Sequence, residues 1–256
     1  MIHDWSPAPD LLSGRVILLT GAGGGIGRPL AETLAAHGAE LILLDRSIPA
    51  LEAVDDAITE AGHVRPALYP MDFAGAKEAD YLTLAETLEK EFGRLDGLVH
   101  NAALQATLRP LIHTDTAHWM HLLQVNLTAP FLLTRSLMGL LARSESASVV
   151  AVSDEVAVHP RAYWNAYAVS KSGLETLTRI FAEETEANTP IRFNILDPGI
   201  VRTPMRKLAF PAEDASRLRP PDDPELMRAF LWLLSDESRP YTGRRWTLDA
   251  LSSPAD

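Results

Sequence analysis

The sequence predicts an α/β fold, with a parallel seven-stranded sheet covered by helices on both faces, and three observations support it. Short runs of branched and aliphatic residues recur along the chain, and most are continuously apolar, as strands buried on both faces require. Stretches with helical spacing of apolar residues separate these runs. The chain has 256 residues, a size that suits one open sheet, so we predict a single domain over residues 1–256.

The predicted strands and helices alternate along the whole chain. The seven strands are expected at residues 15–20, 40–44, 64–71, 95–100, 148–152, 191–196 and 245–248. Ile26, Leu30 and Leu34 share one face of the helix after the first strand, and Leu174 belongs to a similar helix before the sixth. Residues 205–224, rich in proline and charge, interrupt the last strand–helix repeat, which predicts a surface insertion.

Composition and charge argue against several classes of function. The chain carries 23 Lys and Arg against 34 Asp and Glu, a net charge of −11, whereas a nucleic-acid partner requires clustered basic residues. It has no cysteine, so thiol chemistry is excluded. Asp115, His118 and His121 lack the HExxH spacing, and we predict no metal site. Without a secretory signal or an apolar stretch of about 18 residues, we expect a cytoplasmic protein with no membrane partner.

The glycine-rich turn after the first strand has the context of a dinucleotide-binding loop. The sequence TGAGGGIG, at residues 20–27, lies between a predicted strand and a predicted helix. Glycines let the backbone approach a pyrophosphate, and the free N–H groups at the helix start favour negative charge. No Lys-Ser or Lys-Thr pair follows, so the loop lacks the residues of a nucleoside triphosphate site. A plain flexible connection is the alternative.

Asp45, at the end of the second strand, is the candidate for contact with the adenosine ribose of a dinucleotide. A carboxylate there accepts hydrogen bonds from both ribose hydroxyls, which favours NAD, whereas a 2′-phosphate would face a like charge. Arg46 offers the alternative, because its guanidinium can turn toward such a phosphate and permit NADP. Asp45 could serve as a helix cap or turn residue in either case.

Tyr167 and Lys171 are the candidate catalytic pair. Their four-residue spacing on an amphipathic helix puts the phenol and the ammonium on one face. A free phenol has a pKa of about 10, so base chemistry near neutral pH needs a cation that stabilises the phenolate. Lys171 supplies that charge. Because this spacing is common on solvated helices, the pair gains its meaning from the other motifs.

With these motifs in this order, the sequence resembles the short-chain dehydrogenase/reductase family, in its compact single-domain branch, over essentially the whole chain. The family's TGxxxGxG matches residues 20–27, its YxxxK matches residues 167–171, and its NAG motif corresponds to residues 101–103 with alanine in place of glycine. Residues 95–103, 161–171 and 202–210 resemble a bacterial branch often labelled YciK-like. The remaining matches are Asp72 near the adenine, Asn126 on the central helix, and Pro198, Gly199 and Thr203 of a PGxxxT segment over the nicotinamide.

The resemblance implies a Rossmann-type doubly wound fold and an NAD(P)-dependent oxidoreductase that passes a hydride between nicotinamide and an alcohol or carbonyl carbon. Tyr167 would exchange the proton of the substrate oxygen as general acid/base, Lys171 would lower the Tyr167 pKa and bind the nicotinamide ribose, and Asn126 would hold a linking water. The implied cofactor-binding residues are Thr20, Gly21, Gly25, Ile26, Gly27, Asp45, Arg46, Asp72, Asn101, Tyr167, Lys171, Pro198, Gly199 and Thr203.

One position departs from the family's pattern. The family has a serine about 13 residues before the tyrosine, which donates a hydrogen bond to the substrate oxygen, but here that position is Asp154. A one-residue slip would make Ser153 the fourth catalytic residue, which we take as the prediction. An ionised Asp154 has no proton to donate and opposes negative charge on the substrate oxygen, whereas a protonated one could donate. Residues 153–155 also resemble a run of the sugar-nucleotide dehydratases.

The same resemblance suggests a class of substrate and an oligomeric state, and the departures from the family's pattern suggest an alternative function. Residues 205–224 resemble a mobile substrate lid, and their basic side chains would favour an anionic substrate. The apolar residues of 119–141 and 174–181 suggest a homodimer or homotetramer. Asp154 and Ala103 motivate the rival, a non-catalytic NAD(P)-binding sensor or assembly protein. For four residues, the sequence allows either a place in the pocket wall or ordinary packing within the loop: His159, Arg161, Tyr163 and Trp164.

Overall fold

The seven predicted strands form one sheet in the computed structural model, which describes residues 2, 4–105 and 107–252. The strands are β1 (Val16–Thr20), β2 (Glu40–Asp45), β3 (Ala67–Pro70), β4 (Gly97–His100), β5 (Ser148–Val152), β6 (Arg192–Asp197) and β7 (Arg245–Thr247). Their order is β3-β2-β1-β4-β5-β6-β7, and all neighbours are parallel. The chain changes direction across the sheet between β1 and β4, as in a Rossmann-type doubly wound fold, so the predicted fold class is confirmed.

Helices connect the strands and cover both faces of the sheet. They are α1 (Gly27–Ala36), α2 (Ile48–Glu60), α3 (Glu78–Phe92), α4 (Thr116–Leu123), α5 (Ala129–Leu141), α6 (Asn165–Thr185), α7 (Pro204–Ala209), α8 (Pro224–Leu234) and α9 (Leu248–Ser252). A single π-helical turn, Gln124–Thr128, joins α4 to α5. Such a turn inside a helix is frequent at functional sites.

Successive residues of β1 face two separate hydrophobic layers. Leu19 packs with buried side chains of α1, α2 and α8, while Leu18 packs with those of α3 and α5. Both leucines are fully buried, and burial of each stabilises the fold by about 1.5–3 kcal/mol. Both faces of these strands are therefore buried, one in each hydrophobic layer, which explains why apolar and polar residues do not alternate along them.

The third strand is shorter than predicted. We expected residues 64–71, but β3 contains only Ala67–Pro70, and Val64 before it is 61% exposed. Because β3 lies at the edge of the sheet and pairs with β2 alone, its flanking apolar residues are not held by a second neighbour. Hydrophobicity therefore overestimated its length.

Two expected absences concern membranes and metals. Within the described residues, no helix is both long enough and apolar enough to cross a bilayer. Asp115 caps α4 by accepting a hydrogen bond of 3.0 Å from the His118 N–H. The part of the chain that the structure describes holds no group of three His, Asp or Glu side chains suited to a metal ion.

Candidate active site

The carboxyl ends of the parallel strands enclose a cavity of about 1640 Å³ at the point where the strand order reverses. Open α/β sheets bind ligands at this position. Thr20, Gly27 and Asn126 lie outside the lining. The predicted site residues that line it are Gly21, Gly25, Ile26, Asp45, Arg46, Asp72, Asn101, Ser153, Tyr167, Lys171, Pro198, Gly199 and Thr203.

The glycine loop has no room for side chains at the positions where it turns. A Cβ on Gly27 would lie 2.0 Å from the carbonyl oxygen of Gly21, and one on Gly25 would lie 2.8 Å from the Thr203 Cγ2. Gly21 itself has a φ of 65°, which favours glycine. Ile26, the N-cap of α1, makes no side-chain cap, and the Arg28 N–H of the first turn bonds to the Gly24 carbonyl at 3.0 Å. The glycines at 23, 24 and 25, which have only backbone atoms, line the cavity. A backbone cradle of this kind fits a pyrophosphate.

Thr20 and Asn101 tie the loop to β4. The Thr20 hydroxyl donates to the Val99 carbonyl at 3.1 Å and accepts from the N–H groups of Asn101 and Ala102 at 3.1 and 3.0 Å. The Asn101 amide donates to the carbonyls of Thr20 and Gly21, both at 3.1 Å. Thr20 therefore shapes the cofactor loop from behind, without bordering the cavity.

Asp45 is held at one end of the cavity by two backbone N–H groups. Its Oδ2 accepts a hydrogen bond of 3.1 Å from the Gly23 N–H, and its Oδ1 accepts one of 3.0 Å from the Ser47 N–H. Asp45 is thus a turn residue, while Ser47 is the N-cap of α2. Arg46 beside it is exposed, as is Asp72 on the cavity rim. These residues fit the ribose and adenine of a dinucleotide.

Tyr167 and Lys171 lie on the cavity side of α6, as their spacing predicted. The Lys171 ammonium donates to the Val152 carbonyl at 2.7 Å and lies 5.8 Å from the centre of the Tyr167 ring. The Tyr167 hydroxyl donates to the Asp154 Oδ2 at 3.2 Å. Both side chains are buried, so the reacting groups are shielded from bulk water.

Asp154, and not Ser153, faces Tyr167, which corrects the expected slip. Ser153 borders the cavity, but its hydroxyl donates to the Glu175 Oε1 at 2.7 Å. The Asp154 Oδ1 accepts from the Val156 N–H at 3.0 Å and begins a 3₁₀ turn. Since successive side chains of extended backbone point to opposite sides, a residue next to Asp154 cannot share its direction. The position thirteen residues before Tyr167 is the one that meets it.

Burial and neighbouring charges shift the pKa values of both Tyr167 and Lys171. Burial, followed by the charge and hydrogen bond of Asp154, raises the pKa of Tyr167 well above its usual value, with Arg206 opposing. Burial lowers the pKa of Lys171 to about 8, and the charges of Asp154, Asp197 and Glu175 limit that fall. Near neutral pH, therefore, the tyrosine keeps its proton and the lysine is mostly charged.

Asn126 lies behind the cavity in the π-helical turn. Its Nδ2 donates to the Leu104 carbonyl at 2.8 Å and to the Ser170 hydroxyl at 3.1 Å, while its Oδ1 accepts from the Leu104 N–H at 2.7 Å. These contacts fasten the segment after β4 to α6, one residue from Lys171. Asn126 therefore positions the segment after β4 against α6, and its expected role of holding a linking water stays a prediction.

A buried acidic and basic cluster under the site escaped the sequence interpretation. Glu175 accepts from Ser153 and, at 2.9 Å each, from Arg245 and Arg179. Arg245 also donates to Asp197 at 2.7 Å, and burial raises the Asp197 pKa while the Gly199 N–H and Arg245 restrain it. The available signal for Glu175 was its place four residues after Lys171, on the same helix face.

The end of the cavity next to Tyr167 is aromatic. Trp164 lies 5.7 Å from the Tyr167 ring and 5.9 Å from the Phe210 ring, measured between centroids. Arg161 and the exposed Tyr163 also border the cavity, so three of the four residues left open are pocket wall, whereas His159 is not in the lining.

Residues 205–224 border this end of the cavity; their three arginines pair with acidic side chains, and the fourth basic residue, Lys207, is exposed and lies outside the cavity lining. Arg206 forms two hydrogen bonds of 2.7 Å with Glu213. Arg219 pairs with Asp223 at 2.7 Å. The third arginine, Arg217, pairs with Asp214 at 3.3 Å. The expected attraction for an anionic substrate is therefore not supported by this arrangement.

Comparison with known proteins identifies the family. The family model for the short chain dehydrogenases matches residues 15–214. The chain belongs to that family. It is 39% identical to the uncharacterized oxidoreductase YciK of Escherichia coli strain K12 over 246 residues, which cover 96% of this chain and 95% of that protein. The predicted family and its YciK-like branch are confirmed, and the chain is an oxidoreductase of this family.

Solved structures agree with the comparison of sequences. A short chain dehydrogenase from Pseudomonas syringae is 40% identical, with a TM-score of 0.91 over 96% of this chain and 99% of that one. Another from Escherichia coli CFT073, crystallised with NADPH, is 39% identical, with a TM-score of 0.91 over 94% of this chain and 99% of that one. These relatives support binding of a nicotinamide dinucleotide by the shared fold.

Proposed function

We propose that this oxidoreductase transfers a hydride between a nicotinamide cofactor and a polar double bond of a small molecule, of which the alcohol and carbonyl pair expected from the family is one case. The observation that carries the proposal is the buried Tyr167–Lys171 pair at one end of a cavity whose other end is the glycine cradle. The cavity thereby offers a backbone cradle for the phosphates of a dinucleotide at one end and proton-transferring side chains for its nicotinamide at the other.

The chain's own residues handle the proton and the orientation of the substrate, and the cofactor, when bound, supplies or accepts the hydride. Tyr167 holds its proton next to the substrate, because burial and Asp154 raise its pKa. Lys171, fixed on the Val152 carbonyl, offsets the negative charge that Tyr167 acquires when that proton leaves. Trp164 and Phe210 form the apolar wall that keeps water from the reacting atoms, and residues 205–224 close over it.

Thermal unfolding with each of NAD⁺, NADH, NADP⁺ and NADPH tests this proposal. A ligand present at about a hundred times its dissociation constant stabilises the folded protein by about 2.7 kcal/mol, which gives a readily measured rise in Tm. We expect a rise with at least one oxidised and reduced pair. If none of the four changes the Tm, the cofactor premise and the proposed reaction are both wrong.

Asp45 supports NAD in preference to NADP in this chain. Its carboxylate is held by the Gly23 and Ser47 N–H groups, so it cannot easily turn away from a 2′-phosphate. We expect Asp45→Asn to shift the ratio of NADH to NADPH dissociation constants toward NADPH by about 10- to 100-fold, the size of a hydrogen bond to a charged group. Nicotinamide fluorescence measures both constants.

The matched control for this prediction is Asp72→Asn, on the same rim of the cavity. Because the adenine near Asp72 is common to the two cofactors, that change should leave their ratio unaltered. The Escherichia coli CFT073 relative was crystallised with NADPH, which argues against the preference for NAD that Asp45 supports, so the measurement decides between the two. A wild type that prefers NADPH, with a ratio unaffected by Asp45→Asn, would contradict the role of Asp45 and point to Arg46.

We further propose a homodimer or homotetramer built on the helices opposite the glycine loop. Four large apolar side chains are exposed on α4, α5 and α6: Met120, Phe131, Val169 and Ile180. Exposed apolar side chains on adjacent helices suit an interface between copies. Sedimentation velocity at micromolar concentration should show an oligomer, and a monomer alone would contradict it. A cytoplasmic location stays a prediction.

A further inference from the structure

The carboxylate of Asp154 lies next to the hydroxyl of Tyr167. Its Oδ1 accepts from the Val156 N–H at 3.0 Å and its Oδ2 accepts from the Tyr167 hydroxyl at 3.2 Å. The charge of Asp154 acts on the nearby Lys171 ammonium, but the group in contact with the Tyr167 hydroxyl is the carboxylate itself. The Tyr167 hydroxyl therefore meets a carboxylate where the family's pattern has a neutral serine donor.

A carbonyl substrate is poorly matched to this charge. When a hydride adds to a carbonyl carbon, negative charge develops on the oxygen, and a neighbouring carboxylate raises the energy of that state. A neutral hydroxyl or N–H donor would lower it. Asp154 has neither, and the proton of Tyr167 is already directed to Asp154. The geometry thus works against the oxyanion that carbonyl reduction creates.

A carbon–nitrogen double bond reverses the sign of the developing charge. An imine nitrogen is far more basic than a carbonyl oxygen, so it can take a proton before the hydride arrives and become a cationic iminium. A carboxylate stabilises that cation, and catalysis follows from stabilising the charge that develops.

The walls around Asp154 are also suited to a cation. Trp164, Tyr167 and Phe210 form an aromatic cluster with centroid separations of 5.7 and 5.9 Å. Ring faces attract cations, and the Phe210 ring already holds the Arg206 guanidinium 3.8 Å from its centre. Since Arg206 is neutralised by Glu213, the ring cluster and Asp154 together favour a flat cationic group.

We propose that the substrate of this site is an imine that reacts as its iminium, with a secondary or cyclic amine as the reduced partner. The inference rests on the proposed hydride transfer and specifies its substrate class. It assigns Asp154 the task of stabilising the positive nitrogen and Tyr167 the task of protonating it.

The reaction balances as follows in the direction of reduction. The Tyr167 proton bonds to the nitrogen lone pair, and the hydride, with its two electrons, forms the new C–H bond. The π electron pair of the C=N bond becomes the lone pair of a neutral amine. The imine is reduced and the cofactor oxidised. The Tyr167 phenolate, next to the Lys171 ammonium, recovers its proton from water.

The test compares two bicyclic probes of matched size, 3,4-dihydroisoquinoline as the imine and 1-tetralone as the ketone. We expect the wild type to favour the imine in kcat/KM. Asp154→Asn keeps the size and the acceptor for Tyr167 but removes the charge, and should lower kcat/KM for the imine by about 10- to 100-fold. Asp154→Ser supplies a neutral hydroxyl and should reverse the preference toward the ketone.

Glu183→Gln is the matched control. This exposed carboxylate lies on α6, the helix of Tyr167, but outside the cavity lining, so its loss should leave both probes unaffected. The unfolding temperature of each variant checks that it is folded. If the wild type reduces the ketone with the higher kcat/KM and Asp154→Asn does not weaken imine reduction, the proposal is overturned.

Binding provides a readout independent of turnover. The cofactor-loaded wild type should gain Tm with 1,2,3,4-tetrahydroisoquinoline, which is protonated at neutral pH, and gain less with the neutral 1-tetralol. Asp154→Asn should lose this difference. An amine that does not bind, or binds equally to the Asn variant, overturns the inference even when neither probe is reduced. Failure of every cofactor to raise the Tm would instead overturn the proposed function.

Discussion

Replacing Tyr167 by phenylalanine is expected to lower turnover by about 10²- to 10⁴-fold, the range typical for a positioned acid or base, while cofactor binding stays close to that of the wild type. The change removes one oxygen, which is the only group of the side chain that bonds to Asp154. The aromatic packing with Trp164 remains, so the cavity keeps its shape. The loss therefore falls on the proton and not on the fold.

The measurements are kcat with the best substrate from the imine and ketone probes, and the Tm gain with cofactor. Tyr163→Phe is the control, since Tyr163 borders the same cavity but is 57% exposed, and it should retain turnover. A Tyr167→Phe protein with undiminished turnover would remove Tyr167 from the mechanism. A wild type that binds cofactor but turns over neither probe would favour the non-catalytic sensor or assembly reading.

Replacing Gly27 by alanine is expected to weaken cofactor binding by at least about tenfold and to destabilise the fold by about 1–3 kcal/mol, the usual cost of overpacking. The new Cβ would lie 2.0 Å from the Gly21 carbonyl oxygen and 3.0 Å from the Ala22 Cα, so the loop must move. Gly27 begins α1, and its displacement shifts the helix start that faces the pyrophosphate.

Gly139→Ala is the matched control for Gly27→Ala. Gly139 lies in α5, and no atom lies within 4 Å of a Cβ built there. Alanine at an exposed helix position is expected to stabilise by up to about 1 kcal/mol. Urea unfolding measures the stability of both variants, and fluorescence titration measures the cofactor dissociation constants. Unchanged affinity in Gly27→Ala would show that the loop does not need its observed shape.

Local patterns were sufficient for the sheet and for the two ends of the cavity. Short apolar or branched runs, most of them continuously apolar, predicted all seven strands, as expected for a parallel sheet that helices cover on both faces. The loop at 20–27 could be predicted from composition and context, since glycine alone permits such close backbone contacts. The placement of Tyr167 and Lys171 on one helix face was predicted from their four-residue spacing, which depends only on positions along the chain.

Contacts between distant segments were beyond these patterns. Arg245 reaches Glu175 and Asp197 because β7 pairs with β6 in a register that sets Arg245 opposite Ile195. That register is a property of the assembled sheet. The same holds for Asn126, whose amide meets Leu104 and Ser170 only after α4, α5 and α6 have packed.

The sequence by itself determined the fold class, the family, the dinucleotide loop and the Tyr167–Lys171 pair, because each depends on spacing within one element or one turn. Only the tertiary structure decided between Ser153 and Asp154, because their directions are set by how β5 ends against α6. Of these two consecutive residues, Ser153 points its hydroxyl into the buried Glu175 cluster, and Asp154 points its carboxylate toward Tyr167. The charge of the candidate active site, and with it the inferred substrate class, follows from that direction.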